Sequence, residues 1–282
     1  MKTVRVIPRL DIKGPNLVKG IRLEGLRVLG KPEVFAKYYY ENGADELFCM
    51  DVVASLYERN SLHDIISRIA KEVHIPMTVG GGLRTLEDIR AALRAGADKV
   101  AINTAAIKRS EFITEAANAF GASTILVAIE AIRQPDGRYL AFTDNGREHT
   151  GLEVIQWAKR VEELGAGEIV ITSVDREGTG EGYDVQLTRE VSAAVKIPVI
   201  AHGGAGSPND VSDVVSIASA DAVCVASILH YGIITSDIDK SEFLTEGNTE
   251  FLTSGRAYKK IVPSKLSDIK HHLVGKGIEC RV

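Results

Sequence analysis

Cysteine is scarce in this chain of 282 residues: there are three, and Cys49 and Cys224 lie inside the apolar runs ELFCMD and DAVCVAS. Thiols placed in this way exclude a disulfide framework and fit reduced core packing, so a cytoplasmic setting is expected. Long apolar runs are missing too. None reaches bilayer length, and MKTVRVIPRLD enters a strand pattern at once, without a signal-type stretch. There is no excess of either charge. Lys and Arg total 34 against 38 for Asp and Glu, a net charge of -4, which excludes a general pull toward nucleic acid or anionic membrane and makes any basic site local. The histidines are scattered, and the adjacent His271 and His272 fall in a last helical segment, where a solvated face is expected. No metal cluster and no cofactor are expected.

The chain does have short β-branched runs at regular intervals. VRVIPRL, ELFCMD, IPMTVG, KVAIN, TILVAIE, EIVITS, IPVIAH and DAVCVAS are each followed by a segment of helical period, such as TLEDIRAALRAGA, that often ends in glycine. Eight strand-helix units in this length predict an α/β protein with a closed parallel (β/α)8, or TIM, barrel as one domain over 1–282.

The chain also repeats itself. IPMTVGGGLRTLEDIRAALRAGADKVAINTA, from Ile75, matches IPVIAHGGAGSPNDVSDVVSIASADAVCVAS, from Ile197, at a shift of about 122 positions. ADELFCM and AGEIVIT repeat at the same shift, placing Glu46 over Glu168, and RLDIK over AIEAI places Asp11 over Glu130. Two duplicated half-barrels, about 1–120 and 121–282, are expected. The regularity breaks after the eighth strand, where an insertion at about 232–262 would emerge on the active face as a lid, a partner surface or a decoration.

The strand ends carry the chemistry. Gly82 with Asn103 and Thr104, and Gly204 with Ala226 and Ser227 joined by Gly178, form two sets in which backbone amides can approach an anion. Two such cups across one mouth suit a small ligand with a phosphate at each end. Between them Asp11 and Glu130, on strands 1 and 5, face each other as an acid/base pair, unless each only caps the following turn. The basic loop KGPNLVKGIRLEGLRVLGKP, with Lys13, Lys19 and Arg22, would close over the ligand or lie solvated. At the opposite end Arg5, Glu46, Lys99 and Glu168 share the inward parity. They would form a charged floor, either a salt-bridged plug or a gate for something small and polar.

The motifs DIK, LVKG, ADEL, VGGG, ADKVAINTAA, GAGEIVITSVDREGTGEGYD and GGAG together resemble the cyclase subunit of imidazole glycerol phosphate synthase, across nearly the whole chain except 232–262. The resemblance implies a lyase of histidine biosynthesis. It implies a glutaminase partner docked as a heterodimer at the floor, and ammonia sent through the barrel to a bisphosphorylated ribulosyl-formimino carboxamide nucleotide. It also implies an acid/base role for Asp11, a mobile-loop role for Lys19, a gate made by the floor ring, and phosphate contacts at the glycine sets. Departures cluster at the centre. Arg9 stands where the family has cysteine, Glu130 and Glu177 where it has aspartate, Val53 where it has threonine, and His202 where it has serine; Asn145 is near a usual serine.

Arg9 shares a strand face with Asp11, and its charge is permanent. The expectation is that it pairs with Glu130 across the barrel, with Asp11 as next acceptor, and lowers both carboxyl pKa values. Pro8 predicts a bulge or local irregularity in that strand. Three functions follow: the family's cyclase reaction; a divergent paralogue of surface-polysaccharide pathways that turns an acetamido sugar into an acetamidino one; and a conduit that relays ammonia without chemistry at Asp11. The related isomerase of the histidine pathway fits the charged floor less well.

Overall fold

The computed structural model describes residues 3–54, 62–236 and 260–282. In chain order the first half holds β1 (Arg5–Lys13), β2 (Asn16–Ile21), β3 (Glu24–Gly30), α1 (Pro32–Glu41), β4 (Leu47–Asp51), α2 (His63–Ala70), β5 (Met77–Gly80), α3 (Leu86–Ala95), β6 (Lys99–Ile102), α4 (Thr104–Lys108) and α5 (Glu111–Phe120). The second half holds β7 (Ile125–Arg133), β8 (Tyr139–Thr143), β9 (Glu148–Glu153), α6 (Val154–Glu163), β10 (Glu168–Ser173), α7 (Val185–Ala194), β11 (Val199–His202), α8 (Pro208–Ala218), β12 (Ala222–Val225), α9 (Ser227–Ser236) and α10 (Leu266–Gly275).

Eight of the strands pair in parallel in the cyclic order β1, β4, β5, β6, β7, β10, β11, β12, and β12 returns to β1, so the barrel has no free edge. This is a (β/α)8 TIM barrel, and its eight staves are the eight runs named above. The helix α3 starts and stops on signals its sequence carries. Thr85 accepts from Asp88 N at 3.1 Å while the Asp88 carboxylate takes Thr85 N at 2.9 Å, and Gly96 ends α3 at φ +119°. The repeat partner α8 opens with the same box, Ser207 and Asp210. Outward strand residues such as Val6, Leu10 and Val127 pack under these helices, and Ile7, Phe48, Leu126, Val170 and Ile200 form an apolar layer inside the barrel.

The basic stretch after strand 1 is not a loop but the antiparallel hairpin β2–β3, continuing β1 through Asp11↔Val18. It is mirrored by β8–β9 on β7, paired at Glu130↔Phe142. The duplication reaches the hairpin tips. Arg22 (φ 53°) and Leu23 (φ 62°) in one and Asp144 (φ 53°) and Asn145 (φ 61°) in the other are left-handed non-glycine residues, again about 122 positions apart. Such conformations cost on the order of 1 kcal/mol each and persist where tertiary contacts hold them.

No bulge occurs at Pro8. Both parallel ladders of β1 run without a register shift, and the one with β4 begins only at Arg9, immediately after the residue that lacks an N–H. The proline is absorbed by the offset between two neighbours rather than by a kink.

The floor is a closed ring of alternating charge. Arg5 donates to Glu46 at 2.6 Å and to Glu168 at 2.7 Å, and Lys99 lies 3.3 Å from Glu46 and 2.9 Å from Glu168. Burial opposes the charge on Arg5, but Glu168 and Glu46 outweigh it and raise its pKa. Each acid thus bridges both cations. Glu46→Gln removes the charge from two of the four links, and a loss of about 2 kcal/mol is expected in chemical denaturation.

Of the insertion, α9 runs on to Ser236, and the chain is described again from Lys260. There Ile261 is buried and Val262 N donates to Gly206 O at 2.7 Å. Residues 237–259, and with them the choice between lid, partner surface and decoration, lie outside the described residues. Among the described residues no helix is long and apolar enough to cross a membrane.

Candidate active site at the barrel mouth

The C-terminal ends of the strands place the predicted residues in two unequal halves. A cavity of about 320 Å³ lies on the β4–β7 side and is lined by Gly82, Asn103, Thr104, Glu130 and Asn145. A pocket of only about 10 Å³, room for roughly one water, lies on the opposite side against Glu177, Gly178, His202, Gly204, Ala226 and Ser227. Gly178 (φ +69°) and Gly204 (φ +115°) could not be other residues: each is left-handed, and a Cβ would strike the carbonyl of Gly20 and of Gly182 respectively. The glycine sets read from sequence therefore separate into an open cup and a closed one.

The closed cup is shut by the first hairpin. Lys19 is 3% exposed and its ammonium is bound to the Glu177 carboxylate. Glu177 also takes Leu23 N on its other oxygen at 3.1 Å, and its carbonyl takes Arg22 N at 2.8 Å. One acid thus holds both the loop cation and the strained tip. Glu177→Gln keeps an acceptor and removes the charge. Amide exchange across residues 16–30 is expected to quicken on the order of tenfold, measured by hydrogen exchange with mass spectrometry, with other strands unchanged.

Arg9 does not reach Glu130 as its main partner. Its Nε donates to Asp11 Oδ1 at 2.8 Å, its Nη1 lies 3.1 Å from His202 Nδ1, and its guanidinium stands over the Phe48 ring at 5.5 Å. The arm folds back on its own strand because Asp11 is two residues on along the same face. Burial alone would raise the Asp11 pKa, but Arg9 and then Lys19, 3.8 Å away, outweigh it and hold the carboxyl below the usual range. Glu130 goes the other way. Burial pushes it up to about 7, against the Gly146 N–H that it accepts at 2.7 Å and the more distant charge of Arg9. Arg9 pulls both carboxyls down, as expected, but at Glu130 burial outweighs it and the net shift is upward. His202 is neutral, held well below its ordinary pKa by burial and by the charges of Arg9 and Lys19.

Asn145 fixes the second hairpin by donating to Val52 O, and Val53 gives its amide to Asp51 at 3.0 Å. The structure adds residues that the sequence reading passed over. Arg84, Lys108 and Arg109 bring positive charge to the open cavity, while Asp51 and Asp144 bring negative charge. Asn103 Oδ1 and Asp144 Oδ1 are buried with no hydrogen-bond partner among the described residues, two acceptors suited to N–H or O–H groups of a ligand. Thr172, beside His202, follows from the inward parity of Glu168 and Val170 and could have been found that way. Among the described residues no group of three or more His, Cys, Asp or Glu is placed to hold a metal ion.

These features define a barrel whose mouth combines two sets of glycine-rich turns with two carboxyls of opposed ionisation. The family model described as "Histidine biosynthesis protein" matches residues 5–235. The chain is 56% identical over 206 residues to imidazole glycerol phosphate synthase subunit HisF of Legionella pneumophila, covering 73% of this chain and 97% of that one. It is 48% identical over 261 residues to HisF of Methanopyrus kandleri, covering 86% and 96%, and 42% identical over 282 residues to HisF of Saccharolobus solfataricus, covering 100% of both. The chain belongs to the histidine biosynthesis family, as a cyclase subunit of the HisF type.

Proposed function

We propose that this chain is the ammonia-using cyclase of a glutamine-dependent imidazole glycerol phosphate synthase. The observation that carries the reading is the split ionisation at one mouth: Asp11 is held as a carboxylate while Glu130, at about 7, still carries its proton near neutrality. Two carboxyls whose environments drive them apart are a base and an acid. Ammonia would add to the ketose carbonyl of the bisphosphorylated ribulosyl-formimino carboxamide nucleotide, with Glu130 protonating the oxygen that leaves as water. The new nitrogen would then attack the formimino carbon. A proton from ribulose C1 would restore Glu130 and form the ring double bond. Asp11 would take protons from the ring nitrogens and pass them to the departing nitrogen as the C–N bond to the aminoimidazole carboxamide ribotide breaks, leaving imidazole glycerol phosphate. Substrate and ammonia go to the two products and one water, so the atoms balance. Phosphates would sit at the two cups, and the floor ring would be the gate and docking face for a glutaminase.

A second reading is favoured by one observation, that Arg9 and His202 fill the β1–β11 side beside a cup of about 10 Å³. On that reading the barrel feeds ammonia to an acetamido sugar in a surface-polysaccharide pathway. The test is loss of the bisphosphate substrate with saturating ammonium salt. Turnover supports the cyclase, whereas tight binding without turnover overturns it and moves the search to ammonia-accepting sugars.

A further inference from the structure

One contact at the mouth, between His202 and Arg9, has no part in the acid/base scheme. His202 Nδ1 lies 3.1 Å from Arg9 Nη1 and 3.1 Å from Thr172 Oγ1, and the two residues are 4% and 5% exposed. A guanidinium donates only, so Nδ1 must present its lone pair and the neutral ring must carry its proton on Nε2. The charged groups nearby agree. Arg9 of β1 and Lys19 of β2 oppose protonation of the ring, Asp11 and Glu177 are engaged with those two cations, and burial pushes the Cys224 thiol up to about 12. Among the described residues no protein group pairs with Nε2. The ring lines the small pocket with Gly178, Gly204 and Ser227.

We propose that His202 determines specificity in the closed cup: its fixed Nε2–H donates to an oxygen of a phosphate monoester seated against Gly178, Gly204 and Ser227, and Arg9 is the positioning residue that sets the tautomer. The ligand part of this inference rests on reading that cup as an anion site and on the first hairpin lifting from it, since the cup as it stands has room for roughly one water; the tautomer rests on neither. Arg9 itself already donates to Asp11 and His202, so it acts through the ring. A neutral N–H beside two cations donates to a phosphate oxygen and rejects an ammonium group.

The test is NMR on protein labelled with 15N-histidine, the His202 signal being assigned by its loss in His202→Gln. The expected spectrum is the Nε2–H tautomer with no titration between about pH 5.5 and 8, and a mixture of the two neutral tautomers in Arg9→Met. Added sn-glycerol 3-phosphate should shift Nε2 more than Nδ1. His202→Leu should weaken its binding about tenfold or more, and His202→Gln, which keeps an acceptor and a donor, should restore most of it. An Nδ1–H tautomer, or an ordinary titration in the unmodified protein, overturns the proposal. Glycerol phosphate that binds equally well to His202→Leu overturns the role of His202 and leaves the cup standing. No binding at all, with the tautomer as expected, overturns the anion reading of the cup and the ligand claim with it.

Discussion

Glu130→Gln is expected to do two opposite things: remove most activity and make the protein more stable at alkaline pH. The loss of activity follows from the loss of the acid. A positioned proton donor contributes about 10²–10⁴-fold, so ammonium-driven turnover should fall by that order while substrate binding holds. Rates expressed per concentration of free NH₃ should, in the unmodified protein, decline as pH rises past about 7, where Glu130 gives up its proton. The stability gain follows from linkage. A free glutamate ionises near 4.5 and Glu130 near 7, so below 4.5 both folded and unfolded chains hold the proton and nothing is lost. As pH rises from 4.5 to 7 the unfolded chain releases its proton first, and the folded state loses stability until the loss is complete above 7. At 1.36 kcal/mol per pKa unit, and allowing for water in the cavity that Glu130 lines, the penalty is about 2 kcal/mol. The glutamine has no such penalty, so its melting temperature should exceed that of the parent by about 4 °C at pH 8 and by nothing at pH 4.5. A variant without activity that shows no pH-dependent gain would mean that Glu130 is ionised at neutral pH and cannot be the acid.

The barrel was legible because its signals are periodic. Period-two runs named all eight staves, and the half-barrel repeat placed Asp11 over Glu130 and Glu46 over Glu168, positions the folded chain keeps. Parity alone put Arg5, Glu46, Lys99 and Glu168 inside. It did not give depth. Which inward side chains meet depends on the stagger between strands that closes a barrel, and no single strand carries that information. For this reason Arg9 was expected to reach Glu130, whereas it turns to the acid on its own strand. The hairpins were missed because glycines and charges in KGPNLVKGIRLEG look like a loop, and their pairing with β1 is a tertiary fact. The clamp by Glu177 was invisible for the same reason: it joins residues more than 150 positions apart.

Arg9→Met should be the most destabilising single change at the mouth. The guanidinium is 5% exposed and serves Asp11 through one arm and His202 through another. Removing it leaves a buried carboxylate with Lys19 as its remaining cation, at 3.8 Å, and an imidazole with Thr172 alone. Breaking a buried pair by deleting one member costs about 3–5 kcal/mol, because the survivor is stranded away from water. The pH dependence distinguishes this from lost packing. In the parent the depressed Asp11 pKa contributes stability that is present above its unfolded value of 3.8 and is lost as pH falls through the lower folded value. Without Arg9 that contribution shrinks, so the difference between parent and variant should be greatest near neutrality and narrow in acid. Adding Asp11→Asn to Arg9→Met should recover part of the loss, giving a coupling of about 1–3 kcal/mol in a double-mutant cycle read by denaturant unfolding. Strict additivity would mean that Arg9 stabilises the barrel through its stack on Phe48, not its charge. Ammonium-driven turnover should fall as well, in an assay run cold enough for the variant to stay folded, because Asp11 loses the cation that holds it as a carboxylate and His202 loses the donor that sets its tautomer.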